Sequence, residues 1–93
     1  MLAIARGLIS RPQLLLLDEP SLGLSPKMVN EIFKVIAQLR DRNVTILLAE
    51  QNVFQAFSVA HKAAVMQLGR VVDQGSVQNL INKPTIRQAY LGE

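Results

Sequence analysis

Two adjacent carboxylates, Asp18 and Glu19, directly follow four leucines at positions 14–17 and precede a proline. A short apolar run bounded by a turn predicts a fully buried parallel strand, and ligands of open α/β sheets bind beyond the carboxyl ends of such strands. One carboxylate can provide an oxygen ligand for Mg²⁺, while the other orients an attacking water. This pair therefore fits metal-assisted phosphoryl transfer. The alternative is a strand that ends at two solvated acids.

A strand and a long helix flank the turn after these acids. The strand is predicted over 13–19, and Ser25 followed by Pro26 predicts the first residues of a helix, with serine as its cap. Apolar residues recur along one face of this helix as far as the polar segment 41–43, while polar residues occupy the other face. The helix should pack its apolar stripe on the sheet.

A second β-branched apolar run, 44–49, ends in the polar segment 50–52. Strand, helix and strand form a βαβ unit, in which the two strands run parallel and the connection is right-handed. The polar ends of both strands then lie at one edge of the sheet. This pattern predicts that Gln51 lies within reach of Glu19.

The remaining sequence predicts shorter elements. An amphipathic helix over 1–10 has a stop signal but no capping residue before it. After a short capped helix over 52–60, two strands form a hairpin around Gly69 that Gly75 closes. Short helices follow at 77–81 and 84–90, so that the hairpin and helices together occupy 62–92.

Composition excludes several classes of function. The 93 residues make one domain at most, and the net charge of +3 is spread along the chain without a basic block. Four aromatic residues provide no stacking platform for bases, so we expect no nucleic acid partner. Without cysteine there is neither a disulfide nor a thiolate metal site, and no apolar stretch is long enough to span a membrane.

Three segments together resemble the C-terminal part of an ABC-type nucleotide-binding domain, most closely the ATPase subunits of branched-chain amino acid uptake transporters. They are 14–26, 48–52, and 68–72 with Gly75. The resemblance covers the whole chain, 1–93, and implies part of a P-loop NTPase domain of the α/β class. It assigns 1–10 to the helix after the signature motif, 13–19 to the Walker B strand, 21–25 to the D-loop and 50–52 to the switch region.

The resemblance also implies roles for individual residues. Asp18 would hold the Mg²⁺ of Mg-ATP, usually through water, and Glu19 would be the catalytic glutamate that polarises the hydrolytic water. Gln51 would occupy the switch position and contact the γ-phosphate. The D-loop would face a second nucleotide-binding domain through Ser21, Leu22, Gly23, Leu24 and Ser25.

The sequence departs from the broad family pattern at two of these positions. Most members carry an aspartate where this chain has Ser25 and a histidine where it has Gln51, and both departures resemble the branched-chain amino acid subgroup. A glutamine amide can donate a hydrogen bond to a phosphate oxygen but cannot become a cation. We therefore expect weaker stabilisation of developing charge than histidine would give.

The glycine-rich P-loop, the Q-loop and the signature motif of the family are not found in this sequence. Its five glycines never form the G-x-x-x-x-G-K-[ST] pattern that holds phosphates. We therefore expect a fragment that begins just past the signature, either a truncated gene product or an excised segment. The isolated chain is expected to be inactive and to bind ATP and Mg²⁺ poorly.

The resemblance favours ATP hydrolysis that powers transport, with branched-chain amino acid uptake as the expected process. The partners would be a second nucleotide-binding domain, transmembrane permease subunits and the missing N-terminal ATPase half, at the cytoplasmic face of the membrane. One alternative is a non-catalytic interaction module, and another is the C-terminal lobe of a DNA-repair-type ABC ATPase. Because an apolar sheet face would be uncovered, we expect an oligomer or a strand-exchanged dimer when the chain is isolated.

Overall fold

The computed structural model describes residues 14–92, and the helix predicted over 1–10 lies outside them. The described elements are β1 Leu14–Asp18, α1 Pro26–Asp41, β2 Thr45–Ala49, α2 Val53–Val59, β3 Lys62–Gln67, β4 Arg70–Ser76, α3 Val77–Leu80 and α4 Pro84–Tyr90. They belong to two compact units, one ending at Gln51 and the other beginning at Asn52.

The first unit is a βαβ arrangement. Strands β1 and β2 pair in parallel, with Leu14 opposite Thr45 and Asp18 opposite Ala49. Helix α1 connects them, and its last turn is joined to the segment before β2 by a hydrogen bond of 3.1 Å from the Val44 N–H to the Leu39 carbonyl. The predicted α/β class and the parallel pairing are therefore confirmed.

Helix α1 begins where its capping signals predict. The Ser25 hydroxyl accepts a hydrogen bond from the Met28 N–H at 3.3 Å, and Pro26 occupies the first turn. Such a cap stabilises a helix by ~1 kcal/mol. Within residues 14–51, the buried residues of the unit are one leucine of β1 and the apolar stripe of α1: Leu17, Ile32, Phe33, Ile36 and Leu39. Each of these side chains contributes about 1.5–3 kcal/mol through burial.

The two faces of the parallel sheet differ in burial. Leu17 is buried, whereas Leu14, Leu16 and Leu47 are 55%, 65% and 66% exposed. The prediction of a fully buried strand is thus wrong for Leu14 and Leu16, because alternate residues point to opposite faces and only one face carries the core. The expected uncovered apolar face is confirmed.

The second unit contains an antiparallel hairpin of β3 and β4. Leu68 and Gly69 form its turn, both with positive φ, at 51° and 77°. A bulge interrupts the ladder between Val65 and Met66. Gly75 does not close the hairpin as predicted, because its φ of 150° continues the extended chain to the end of β4.

An ion pair joins β4 to the start of α4. Lys83 Nζ donates to both carboxylate oxygens of Asp73, at 2.9 and 3.0 Å. This hydrogen bond from Lys83 lowers the pKa of the Asp73 carboxyl from its usual value of 3.8. The buried residues of the unit are Val59, Val65, Val77, Leu80 and Ile86. None of the helices within residues 14–92 has both the length and the apolar character needed to cross a bilayer.

Candidate functional site

The carboxyl ends of β1 and β2 form the candidate site. Asp18 is the last residue of β1 and lies opposite Ala49, the last residue of β2. Because the strands are parallel, the residues that follow each strand leave the sheet at the same edge. Glu19 and the turn after it therefore lie at the same edge as the segment that follows β2, as the sequence pattern predicts.

Glu19 has a strained backbone that hydrogen bonds hold in place. Its φ of 44° lies in the left-handed region, which costs an L-residue other than glycine about 1–2 kcal/mol. Its N–H donates to the Ala49 carbonyl at 2.7 Å, and its own carbonyl accepts from the Leu22 N–H at 3.1 Å. Asn43 and Leu68 also have a positive φ, so the strain supports a functional role for Glu19 only together with its position at the strand end.

The side chains of Asp18 and Glu19 are free for a ligand. Within residues 14–92, neither carboxylate accepts a hydrogen bond or joins an ion pair. Asp18 is exposed and Glu19 is partly buried. Their oxygens fit a hard cation and a water molecule.

The two carboxylates at the strand end suit a magnesium ion that takes few of its ligands from the protein. The described part of the chain contains no group of three side chains that could hold a metal by themselves. Mg²⁺ keeps several waters and is commonly bound by one or two carboxylates together with substrate phosphates. Asp18 can therefore provide one oxygen of such a shared coordination sphere.

A side-chain hydrogen bond links the two chain segments at this edge. The Ser21 hydroxyl donates to Glu50 Oε2 at 2.8 Å, in a partly buried position. The sequence interpretation missed this role of Glu50, treating it only as one polar residue after a strand. No sequence signal indicates this bond, because it depends on the register that pairs Asp18 with Ala49 and so brings the turn after Glu19 beside Glu50.

The turn at 21–25 lies on the surface. The Leu24 N–H donates to the Ser21 carbonyl at 3.2 Å, and Gly23 has a φ of 77°. Leu22 is 73% exposed. Ser25 is also exposed, but its hydroxyl caps α1. That these five residues face a second domain stays a prediction.

Gln51 lies two residues beyond the end of β2, with its side chain exposed. No hydrogen bond joins it to Glu19 within residues 14–92. The structure thus brings Asp18, Glu19, Ser21 and Glu50 to one edge, where Gln51 forms no hydrogen bond with either acid within residues 14–92. Its role in phosphate binding stays a prediction.

This geometry defines an α/β protein with a carboxylate site at the edge of parallel strands, and comparison with known proteins identifies its family. The chain is 51% identical over 92 residues to the high-affinity branched-chain amino acid transport ATP-binding protein BraG of Pseudomonas aeruginosa, covering 99% of this chain and 40% of BraG. It is 38% identical over 90 residues to the lipopolysaccharide export system ATP-binding protein LptB of Acidithiobacillus ferridurans, covering 97% of this chain and 37% of LptB.

A solved structure shares the fold. The structure of cbiO1 from Clostridium perfringens, part of the ABC transporter complex cbiONQ, superposes with a TM-score of 0.74 at 33% identity, covering 95% of this chain and 36% of cbiO1. A scan against models of protein families gave no match. The chain belongs to the ABC-type ATP-binding proteins, where it corresponds to a C-terminal part of the nucleotide-binding domain. It spans about two fifths of the length of the relatives it matches.

Proposed function

We propose that this chain provides the carboxylate side of an ATP hydrolysis site in an ABC transporter. The observation that carries the proposal is the end of the β1–β2 pair, where Asp18 lies opposite Ala49 and the strained Glu19 is hydrogen-bonded to the Ala49 carbonyl. The 51% identity to an ATP-binding protein supports it.

Asp18 holds the magnesium ion of Mg-ATP in this proposal, directly or through water. Its exposed carboxylate, with no protein partner in residues 14–92, is suited to that task. When bound, Mg²⁺ neutralises the charge that develops on the phosphate oxygens. The ion needs further ligands from ATP and from water, since residues 14–92 contain no complete metal site.

Glu19 is the base that orients the attacking water. Its carboxylate accepts a hydrogen bond and then the proton from the water, whose oxygen forms a bond to the γ-phosphorus while the bond from phosphorus to the bridging oxygen breaks and ADP leaves. The hydrogen bonds of the Glu19 backbone hold this residue at the strand end, so that the carboxylate needs little reorganisation before the reaction.

Gln51 and the exposed turn at 21–25 complete this side of the site. The Gln51 amide donates a hydrogen bond to a γ-phosphate oxygen. The turn faces a second nucleotide-binding domain, and the exposed Leu22 provides the apolar contact that such an interface needs. The phosphate cradle, with its glycines and lysine, comes from the part of the domain that precedes these motifs in the family.

Branched-chain amino acid uptake is the process that the similarities favour. Identity to the branched-chain amino acid transport protein BraG is 51%, against 38% to the lipopolysaccharide export protein LptB. The ATPase would act at the cytoplasmic face of the membrane, bound to transmembrane permease subunits. The uncovered leucines of the sheet, Leu14, Leu16 and Leu47, would pack against the rest of the nucleotide-binding domain.

A chimera tests the catalytic role. Residues 1–93 replace the matching segment of BraG, and ATP hydrolysis is measured with and without Glu19→Gln. Because a general base contributes about 10²–10⁴-fold, we expect Glu19→Gln to lower kcat at least a hundredfold. Glu31→Gln, on the exposed face of α1, is the matched control and should retain the activity. An active Glu19→Gln chimera would contradict the proposal.

Two further measurements test ATP binding and the identity of the transported substrate separately from ATP hydrolysis. Isothermal calorimetry of the 93-residue chain with Mg-ATP should show no binding, because the phosphate cradle is not in this sequence. Leucine uptake should be restored when the chimera replaces BraG in cells that lack it. A chimera that hydrolyses ATP but fails to restore uptake would refute the substrate assignment and leave the ATPase proposal intact.

A further inference from the structure

We propose that Ser21 and Glu50 are positioning residues, whose hydrogen bond fixes Glu19 and Gln51 relative to each other for ATP hydrolysis. The inference rests on the proposed function, since it concerns the same site.

The bond joins the two segments that carry the proposed reacting groups. Ser21 lies two residues after Glu19, and Glu50 directly precedes Gln51. The Ser21 hydroxyl donates to Glu50 Oε2 at 2.8 Å, across a separation of 29 residues along the chain. A hydrogen bond to a carboxylate is stronger than one between neutral groups, and this one is partly buried, so solvent weakens it less.

The bond acts together with the backbone contacts of Glu19. The Glu19 N–H is anchored to the Ala49 carbonyl, and the Leu22 N–H closes the turn on the Glu19 carbonyl. Ser21 lies inside that turn, so its short side chain holds the turn against the segment after β2. Because Glu19 has a left-handed φ of 44°, the surrounding contacts must maintain a conformation that the residue does not prefer.

A fixed distance between the two segments matters for the chemistry. The water that Glu19 orients and the phosphate oxygen that Gln51 contacts belong to the same reaction, and a misplacement of ~1 Å can cost about a hundredfold in rate. The hydrogen bond itself does not touch ATP, and the phosphate cradle that holds most of the phosphate charge belongs to another part of the domain. Its loss should therefore lower kcat and leave KM for Mg-ATP nearly unchanged.

The chimera with BraG tests this with three substitutions of serine. Ser21→Ala removes the donor and should lower kcat about tenfold, with KM for Mg-ATP changed less than about twofold. Ser21→Thr keeps a hydroxyl and should restore most of kcat. Ser58→Ala is the matched control, because Ser58 is an exposed serine whose hydroxyl donates to the Gln55 carbonyl within a helix of the second unit.

The glutamate completes a double-mutant cycle. Glu50→Ala should lower kcat at least as much as Ser21→Ala, since Glu50 has an interaction besides the one with Ser21, and the double variant should be little worse than Glu50→Ala alone. Glu31→Ala, on the exposed face of α1, is the matched control. Additive losses would show that Ser21 and Glu50 act independently, which would overturn the proposal.

Three further outcomes distinguish a failure of the proposed function from a failure of the positioning role. If the unsubstituted chimera binds Mg-ATP but does not hydrolyse it, the proposed function fails, and this inference fails with it. If Glu19→Gln abolishes hydrolysis while Ser21→Ala retains kcat, the proposed function stands and the positioning role is refuted. A Ser21→Ala variant that lowers the thermal midpoint without changing kcat shows a purely structural bond, which also refutes it.

Discussion

Replacing Glu19 with glycine should preserve or increase stability while it removes the proposed base. Glu19 has a φ of 44°, and a left-handed conformation costs a residue with a Cβ atom about 1–2 kcal/mol. Glycine has no Cβ atom and adopts this conformation without strain, but its greater loss of conformational entropy on folding costs roughly 0.5–1 kcal/mol. The net change in the free energy of unfolding should lie between about zero and 1.5 kcal/mol in favour of the variant.

Glu31→Gly is the matched control for this substitution. Glu31 lies on the exposed face of α1, where glycine should destabilise the helix by ~1 kcal/mol. The two variants change the same residue type within the same compact unit. Their free energies of unfolding should therefore differ by about 1–2.5 kcal/mol, although their sequence changes are chemically identical.

Urea titration followed by the amide NMR signals of α1 measures both variants in the 93-residue chain. The midpoint should rise or stay constant for Glu19→Gly and fall for Glu31→Gly, with similar slopes. In the chimera, Glu19→Gly should lose ATP hydrolysis, while Glu31→Gly retains it. Equal destabilisation by the two substitutions would refute the claim that Glu19 stores backbone strain.

Two other predictions concern the ion pair and the uncovered sheet face. Because Lys83 lowers the pKa of Asp73, the pair stabilises the fold above the usual carboxyl pKa of 3.8 and loses this effect as the pH falls through the lower folded value. Lys83→Met should raise that pKa, and an NMR titration showing no rise would contradict the assignment. Leu16→Ser and Leu47→Ser should reduce self-association of the isolated chain in light scattering, because both leucines are about two thirds exposed. Unchanged association would show that another surface is responsible.

Local signals predicted the elements of the first unit well. Ser25 and Pro26 marked the start of α1, and the observed helix Pro26–Asp41 begins there because the Ser25 hydroxyl caps it. The polar segment after residue 40 marked its end. The apolar runs indicated both strands, and the parallel pairing followed from the long helix between them.

What the sequence could not indicate depends on distant contacts. The bond between Ser21 and Glu50 joins residues 29 positions apart, and its existence depends on side-chain directions that only the register defines. The exposure of Leu14 and Leu16 depends on what covers the sheet, which apolar periodicity cannot reveal. Gly75 suggested the end of a strand, yet glycine also permits the φ of 150° that continues β4.

The paired strands of the two sheets are separated by very different lengths of chain, which affects the order in which the sheets fold. Strands β3 and β4 are joined by the tight turn at Leu68 and Gly69, so their hairpin can form in about 1–10 μs. Strands β1 and β2 are separated by the whole of α1. Their pairing must close a long loop, which costs conformational entropy before the first contact between the two strands can stabilise them. We therefore expect the hairpin to form first during refolding. The edge that brings Glu19 beside Glu50 should be among the last features to form.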